Sequence, residues 1–106
     1  MTRSDGERLA DALLHLDHIE RYSAMDMRES VVVDAIALRL AAMIESLSAV
    51  SASTIEEMFG VDWPAMKGLR NRIAHGYHTV DAVVLRITVR DELPHLRKII
   101  ERRLHS

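Results

Sequence analysis

The chain has no cysteine, which excludes a disulfide framework, a thiolate nucleophile and a zinc site built on thiolates. It is also poor in aromatics, at 4% of 106 residues, while residues of the apolar set reach 48%. The core must therefore be built from Leu, Ile, Val, Met and Ala. Two prolines and four glycines leave few places to turn, which favours a small number of long elements. No strong charge of one sign is present: 14 basic and 16 acidic side chains leave a net charge of −2. A nucleic-acid role would then depend on a local basic patch, not on the whole-protein field. Long apolar runs are missing too. The most apolar stretch, Val31 to Ile44, is broken by Asp34 and Arg39 and falls short of the ~20 residues of a membrane span. The N-terminal run Met1-Thr2-Arg3-Ser4-Asp5-Gly6-Glu7-Arg8 is polar and lacks the apolar core of a secretory signal, so the expected location is the cytoplasm. At this length the chain is expected to form one domain over residues 1–106.

What is present is helical periodicity. Ser4 or Asp5 is placed to cap a first helix reaching about Ser23, with Leu9, Leu13, Leu16 and Ile19 recurring on one stripe. Asp11, Asp17 and Glu20 fall between them, as on a half-buried surface helix. His15 and His18 lie one turn apart near acidic residues, but no clear third ligand accompanies them, so they read as helix-surface residues and no metal is expected. A second helix is expected from about Met27 to Val50. Its apolar surface is wider than one stripe, as in a central bundle helix or one covered by a second subunit. Arg39 and Glu45 interrupt that surface, and are expected at the core rim, paired with other helices or positioning groups in a cleft.

Ser53 or Thr54 is expected to cap a short helix, Ile55–Phe59, that Gly60 ends. Asp62 is placed as the next N-cap, ahead of Trp63 and Pro64, with Trp63, Met66, Leu69 and Ile73 as the buried face. The run Ala82–Val89 is β-branched enough for a strand, yet no other segment offers it a pairing partner. A helix from Asp81 is therefore expected, kinked or restarted at Pro94 and continuing through Leu96, Ile99, Ile100 and Leu104.

The chemistry concentrates in Leu69-Arg70-Asn71-Arg72-Ile73-Ala74-His75-Gly76-Tyr77. This stretch should close a helix, with Gly76 able to take a positive φ after the last turn. On an ideal helix residues five apart differ by about 140°, so Arg70 and His75 do not project side by side, whereas Asn71 and Arg72 share a side with His75. The residue types are nonetheless those of metal-free RNA cleavage. A histidine moves protons near neutral pH and an arginine holds phosphate with a planar fork. The same residues also make sense as a capped helix end, with His75 at the negative pole of the dipole.

Arg70-Asn71-Arg72-Ile73-Ala74-His75-Gly76-Tyr77 resembles the RX4HXY signature of HepT-type toxins of the HEPN superfamily. The likeness extends to Leu13–Tyr22 as a first helix, to Ala35–Leu40 followed by Ile44-Glu45 as a second, and to Trp63, Asp81 and Leu93-Pro94 around the motif. A departure is Ile44, where that family often has glycine before the glutamate. The resemblance implies an all-α antiparallel HEPN bundle of four to five helices, forming a homodimer with paired motifs in a shared cleft. It implies metal-independent endoribonuclease activity with no cofactor, with Arg70 and His75 catalytic and Asn71 supporting them. It further implies an antitoxin partner, a minimal nucleotidyltransferase of the MntA type, that transfers AMP to the motif tyrosine, Tyr77. RNA would then rest on Lys67 and Arg72, with the C-terminal basic cluster adding to them. A reading from a different class is a non-catalytic HEPN-like module that binds nucleotide or a nucleotidyltransferase partner.

Overall fold

A computed structural model describes residues 4–76 and 82–105. Over these residues the protein is all α-helical. Helix α1 spans Asp5–Ser23, α2 Ser30–Ser48, α3 Ala52–Phe59 and α4 Trp63–Ala74; α5 spans Ala82–Ile87 and α6 Leu93–Leu104. A 3₁₀ turn, Gly60–Asp62, leads into α4, and a π-helical turn, Thr88–Glu92, joins α5 to α6.

Helix α1 begins where its capping chemistry predicts. The Ser4 hydroxyl accepts the Glu7 backbone N–H at 3.1 Å and turns towards the Glu7 carboxylate at 3.2 Å, so both ends of the first turn are tied. The start of α1 also holds the end of α2. Asp5 accepts the Ser51 backbone N–H at 3.0 Å, the Ser51 hydroxyl at 2.7 Å and the Thr54 hydroxyl at 3.2 Å. Since Asp5 opens α1 and Ser51 follows α2, the two long helices run antiparallel.

The core lies between α1, α2 and the C-terminal helices. Leu16 and Ile19 of α1, Ile36, Leu40, Met43, Ile44 and Leu47 of α2, Leu85 of α5 and Ile100 of α6 are fully buried. These aliphatic side chains supply the main driving force, at roughly 1.5–3 kcal/mol for each one taken wholly out of water. Ile44, the departure from the family pattern, is absorbed into this core and is 1% exposed.

Three local expectations are corrected. Helix α3 starts at Ala52, not Ile55, because Ser51 and Thr54 are gathered by Asp5 across the fold instead of capping from Ser53 or Thr54. Asp62 makes no side-chain cap: it lies in helical backbone, and the 3₁₀ turn supplies the Gly60 carbonyl to the Trp63 N–H. Third, the apolar face of α4 packs on the core but none of its residues is buried, so α4 is an edge helix. The β-branched segment is a helix, with Leu85 turned inward. The expected start at Asp81 lies outside the described residues. The break at Pro94 is a change of register: the Leu93 N–H reaches back to the Thr88 carbonyl, a π-type bond, just before the residue that has no N–H to give.

Candidate active site

Helix α4 carries the motif to its C-terminal end. Pro64 stands in the first turn, where no N–H is missed, and the Phe59 and Trp63 rings stack at 5.8 Å to fix the entry of the chain. At the other end His75 is the C-cap residue, its N–H bonded to the Asn71 carbonyl at 3.0 Å. Gly76 follows with φ of 131°, a positive value that side chains strongly disfavour, so glycine is what lets the chain leave the helix there.

Within that frame Arg70 is the best-anchored group. Its Nε donates to Glu45 Oε2 at 2.6 Å, its Nη2 meets the same carboxylate, and its Nη1 donates to Asn71 Oδ1 at 2.8 Å. The Arg70 side chain is 34% exposed and Glu45 59% exposed, so the pair sits at the surface with its outer edges open to a ligand. Glu45 belongs to α2, so this bridge sets α4 against α2 and fixes the plane of the guanidinium. The remaining N–H groups of the fork are of the kind that holds a phosphate.

The structure thus joins Arg70, Asn71 and Glu45. It does not join Arg70 to His75: among the described residues, the imidazole of His75 makes no hydrogen bond and is exposed at the helix end. This matches the angular offset of residues five apart on a helix. Tyr77 lies outside the described residues. Lys67 is exposed and shares a face with Arg70 and Asn71, three and four positions on. Arg72 points elsewhere, onto an open groove of about 580 Å³ between α4 and the C-terminal helices. The floor of that groove includes Leu40, Met43 and Leu93, and its rim includes Asp91, Glu92 and His95.

Glu45 joins the candidate site through Arg70, a pairing that residue order alone does not assign. Its signal is a carboxylate on a largely apolar helix, but the partner is 25 positions away and only the fold selects it. Arg39, another interruption of α2, turns to α1 and donates to His15 Nδ1 at 3.2 Å. Among the described residues no three metal-ligating side chains converge, and His15 and His18 both accept from arginine. No helix of the described residues is long and apolar enough to cross a membrane.

Comparison with known families matches residues 11–103 to the family described as ribonuclease HepT-like. Curated proteins and solved structures give no match.

Proposed function

The chain belongs to the ribonuclease HepT-like family, and we propose that it is the toxin of a toxin–antitoxin pair, a metal-independent endoribonuclease acting in the cytoplasm. Arg70 holds the non-bridging oxygens of the scissile phosphate, Asn71 and Glu45 hold Arg70, and His75 moves the proton. The ribose 2′-hydroxyl gives its proton to an imidazole and its oxygen attacks the adjacent phosphorus. The bond from phosphorus to the 5′-oxygen breaks, leaving a 2′,3′-cyclic phosphate on one fragment. The departing 5′-oxygen takes a proton from a second imidazole, that of His75 in the other copy of a homodimer. Arg70 counters the charge that builds on the phosphate oxygens.

The dimer is supported by an outward stripe on α2. Val31 and Leu38 are 74% and 70% exposed and stand seven residues apart, with Glu45 seven further on. Heptad spacing suits a facing helix, and this stripe ends at the Glu45–Arg70 bridge. A second copy on it brings two motifs into one cleft, with Lys67 as the nearby cation and Arg72 offering a further RNA contact from the other side of α4. The partner is a minimal nucleotidyltransferase that silences the toxin by transferring AMP from ATP to Tyr77: the phenol oxygen, losing its proton, bonds to the α-phosphorus as the bond to the β-phosphate breaks and pyrophosphate leaves. A bulky anion two residues from His75 blocks and repels an RNA phosphate.

The observation that carries this reading is the bridge of Arg70 to Glu45 and Asn71 on the same helix end as His75. The test is growth after induction of the chain alone, beside His75→Ala and Arg70→Ala, with cleavage of RNA by the purified proteins. Wild type is expected to arrest growth and cut RNA. Loss of the proton-transfer group is expected to lower the rate by about 10²–10⁴-fold. Equal arrest by either variant at matched expression overturns the assigned roles.

A further inference from the structure

Among the described residues, most arginines with side-chain partners are matched to carboxylates. Arg28 meets Asp26, Arg70 meets Glu45, Arg90 meets Asp91, Arg103 meets Glu57, and Arg97 meets Asp17, Glu20 and Glu101. Two depart from this pattern, and they are neighbours. Arg39 of α2 donates from Nη1 to His15 Nδ1 at 3.2 Å, and Arg21 of α1 donates from Nη2 to His18 Nδ1 at 2.6 Å. An imidazole that accepts at Nδ1 is neutral and carries its proton at Nε2. Each bond therefore orients a guanidinium without cancelling its charge, and each ring keeps an N–H donor of its own.

The rings are held in that state by their surroundings. For His15, burial and then the Arg39 charge disfavour protonation against the pull of Asp11, and His18 adds to them. For His18, burial, Arg39 and Arg21 disfavour it against Asp17, and Asp17 is itself bonded to Arg97 at 2.6 Å. His15 and His18 stand one turn apart on α1 and each holds one of the arginines, so the four side chains form a single cluster on the seam of α1 and α2. The Tyr22 ring closes one end, 5.9 Å from the His18 ring. The cluster presents N–H donors and uncancelled positive charge, which is what a phosphodiester accepts.

We propose that Arg39 and Arg21, steadied by His15 and His18, are an accessory contact for the phosphodiester backbone of single-stranded RNA, outside the cleavage motif. This rests on the ribonuclease reading above. On α2, Arg39 precedes Glu45 by about 9 Å of helix rise and is turned away from it by about 120°. A dinucleotide held at Arg70 does not span that separation, whereas a longer strand that leaves the shared cleft at its edge does. The cluster thus selects for length, not sequence, because guanidinium contacts to phosphate carry no base information.

The experiment measures binding of a fluorescent 2′-O-methyl RNA oligonucleotide, which lacks the nucleophile and cannot be cut, by anisotropy across a salt series. Arg21→Ala and Arg39→Ala are each expected to weaken binding several-fold. Each is expected to make the slope of log K against log salt shallower by about 0.7, the share of one phosphate contact on a single strand. Arg39→Lys keeps the charge and is expected to keep the slope. Cleavage of a dinucleotide is expected to persist in the Arg21→Ala/Arg39→Ala variant and to fall by about 10²–10⁴-fold in His75→Ala. An unchanged slope in the folded double variant, checked by circular dichroism and thermal unfolding, overturns the proposal, as does weakened binding with no change of slope. A wild-type protein that cuts no RNA would instead count against the ribonuclease reading, and the salt slopes would still decide whether the cluster holds phosphate.

Discussion

Arg70 bridges two helices: its Nε donates to Glu45 of α2 at 2.6 Å while its Nη1 holds Asn71 of its own helix at 2.8 Å. The guanidinium is thereby fixed in plane and direction. In water such a surface pair contributes little to stability, about 0–1 kcal/mol. In the proposed reaction its value lies in orientation, since a reacting phosphate tolerates little misplacement of the group that neutralises it.

Glu45 is therefore expected to act through Arg70. Glu45→Gln is expected to lower kcat for RNA cleavage by about tenfold with little change in KM, as a 1 Å misplacement can cost up to about 10²-fold. In the Arg70→Ala background the same change should cost almost nothing, because the group it positions is gone. Kinetics of the four proteins check this. Multiplicative losses would show that Glu45 acts independently of Arg70.

Tyr77→Phe removes the phenol oxygen and with it the only nucleophile that residue has for AMP transfer. The variant is expected to arrest growth like the wild type and to gain no mass when incubated with ATP and the proposed nucleotidyltransferase partner, while the wild type is expected to gain one or more AMP units by intact-protein mass spectrometry. Protection of cells carrying Tyr77→Phe would point to neutralisation by binding or to another acceptor.

Much of this was legible in residue order, and what was not has physical causes. The Ser4 cap, the stripe of Leu9, Leu16 and Ile19, and the helical end at Gly76 are local features, set by neighbours within a turn or two. The Ala82–Ile87 helix was legible only by elimination: its β-branched residues favour a strand, but no other segment offers one to pair with. Partner choice was not legible. Glu45 finds Arg70 and Arg39 finds His15 across helices, and Ser51 turns to Asp5 instead of capping α3 with its own side chain. Each of those pairings depends on how antiparallel helices align, which periodicity along one helix does not encode. The half-covered face of α4 was hidden for the same reason. Its stripe reads as core, and only the open groove beside it leaves Met66 and Leu69 part-exposed.

Arg97 is the clasp between the ends of the bundle. It donates to Asp17 at 2.6 Å and Glu20 at 2.7 Å on α1, and to Glu101 at 3.2 Å on its own helix. The side chain is 22% exposed, so burial works against its charge, yet the three carboxylates together outweigh that and raise its pKa further. Arg97→Met keeps much of the packing and leaves those carboxylates without their shared cation. The expected loss is about 1–2 kcal/mol, discounted for the half-exposed acids. At roughly 4–8 °C per kcal/mol for a domain near this size, Tm should fall by roughly 4–16 °C. A Tm within a degree of wild type would mean that the clasp contributes nothing net.

Asp5 gives the fold a dependence on acid. The Ser51 hydroxyl, then the Ser51 backbone N–H, lead the interactions that hold its carboxyl below the usual carboxylate range in the folded chain. A group whose pKa is depressed by folding binds more protons when unfolded, so its stabilisation is fully present above the unfolded value and disappears as pH falls through the folded one. Asp5→Asn is therefore expected to lower Tm by a few degrees at neutral pH. The gap from wild type should shrink below about pH 4, where the unfolded carboxyl takes up its proton, and close once the folded one is protonated too. Thermal unfolding of both proteins between neutral pH and pH 2.5 or so checks it. A gap that stays constant across that range would mean that the Asp5 carboxylate charge is not what ties α1 to the start of α3.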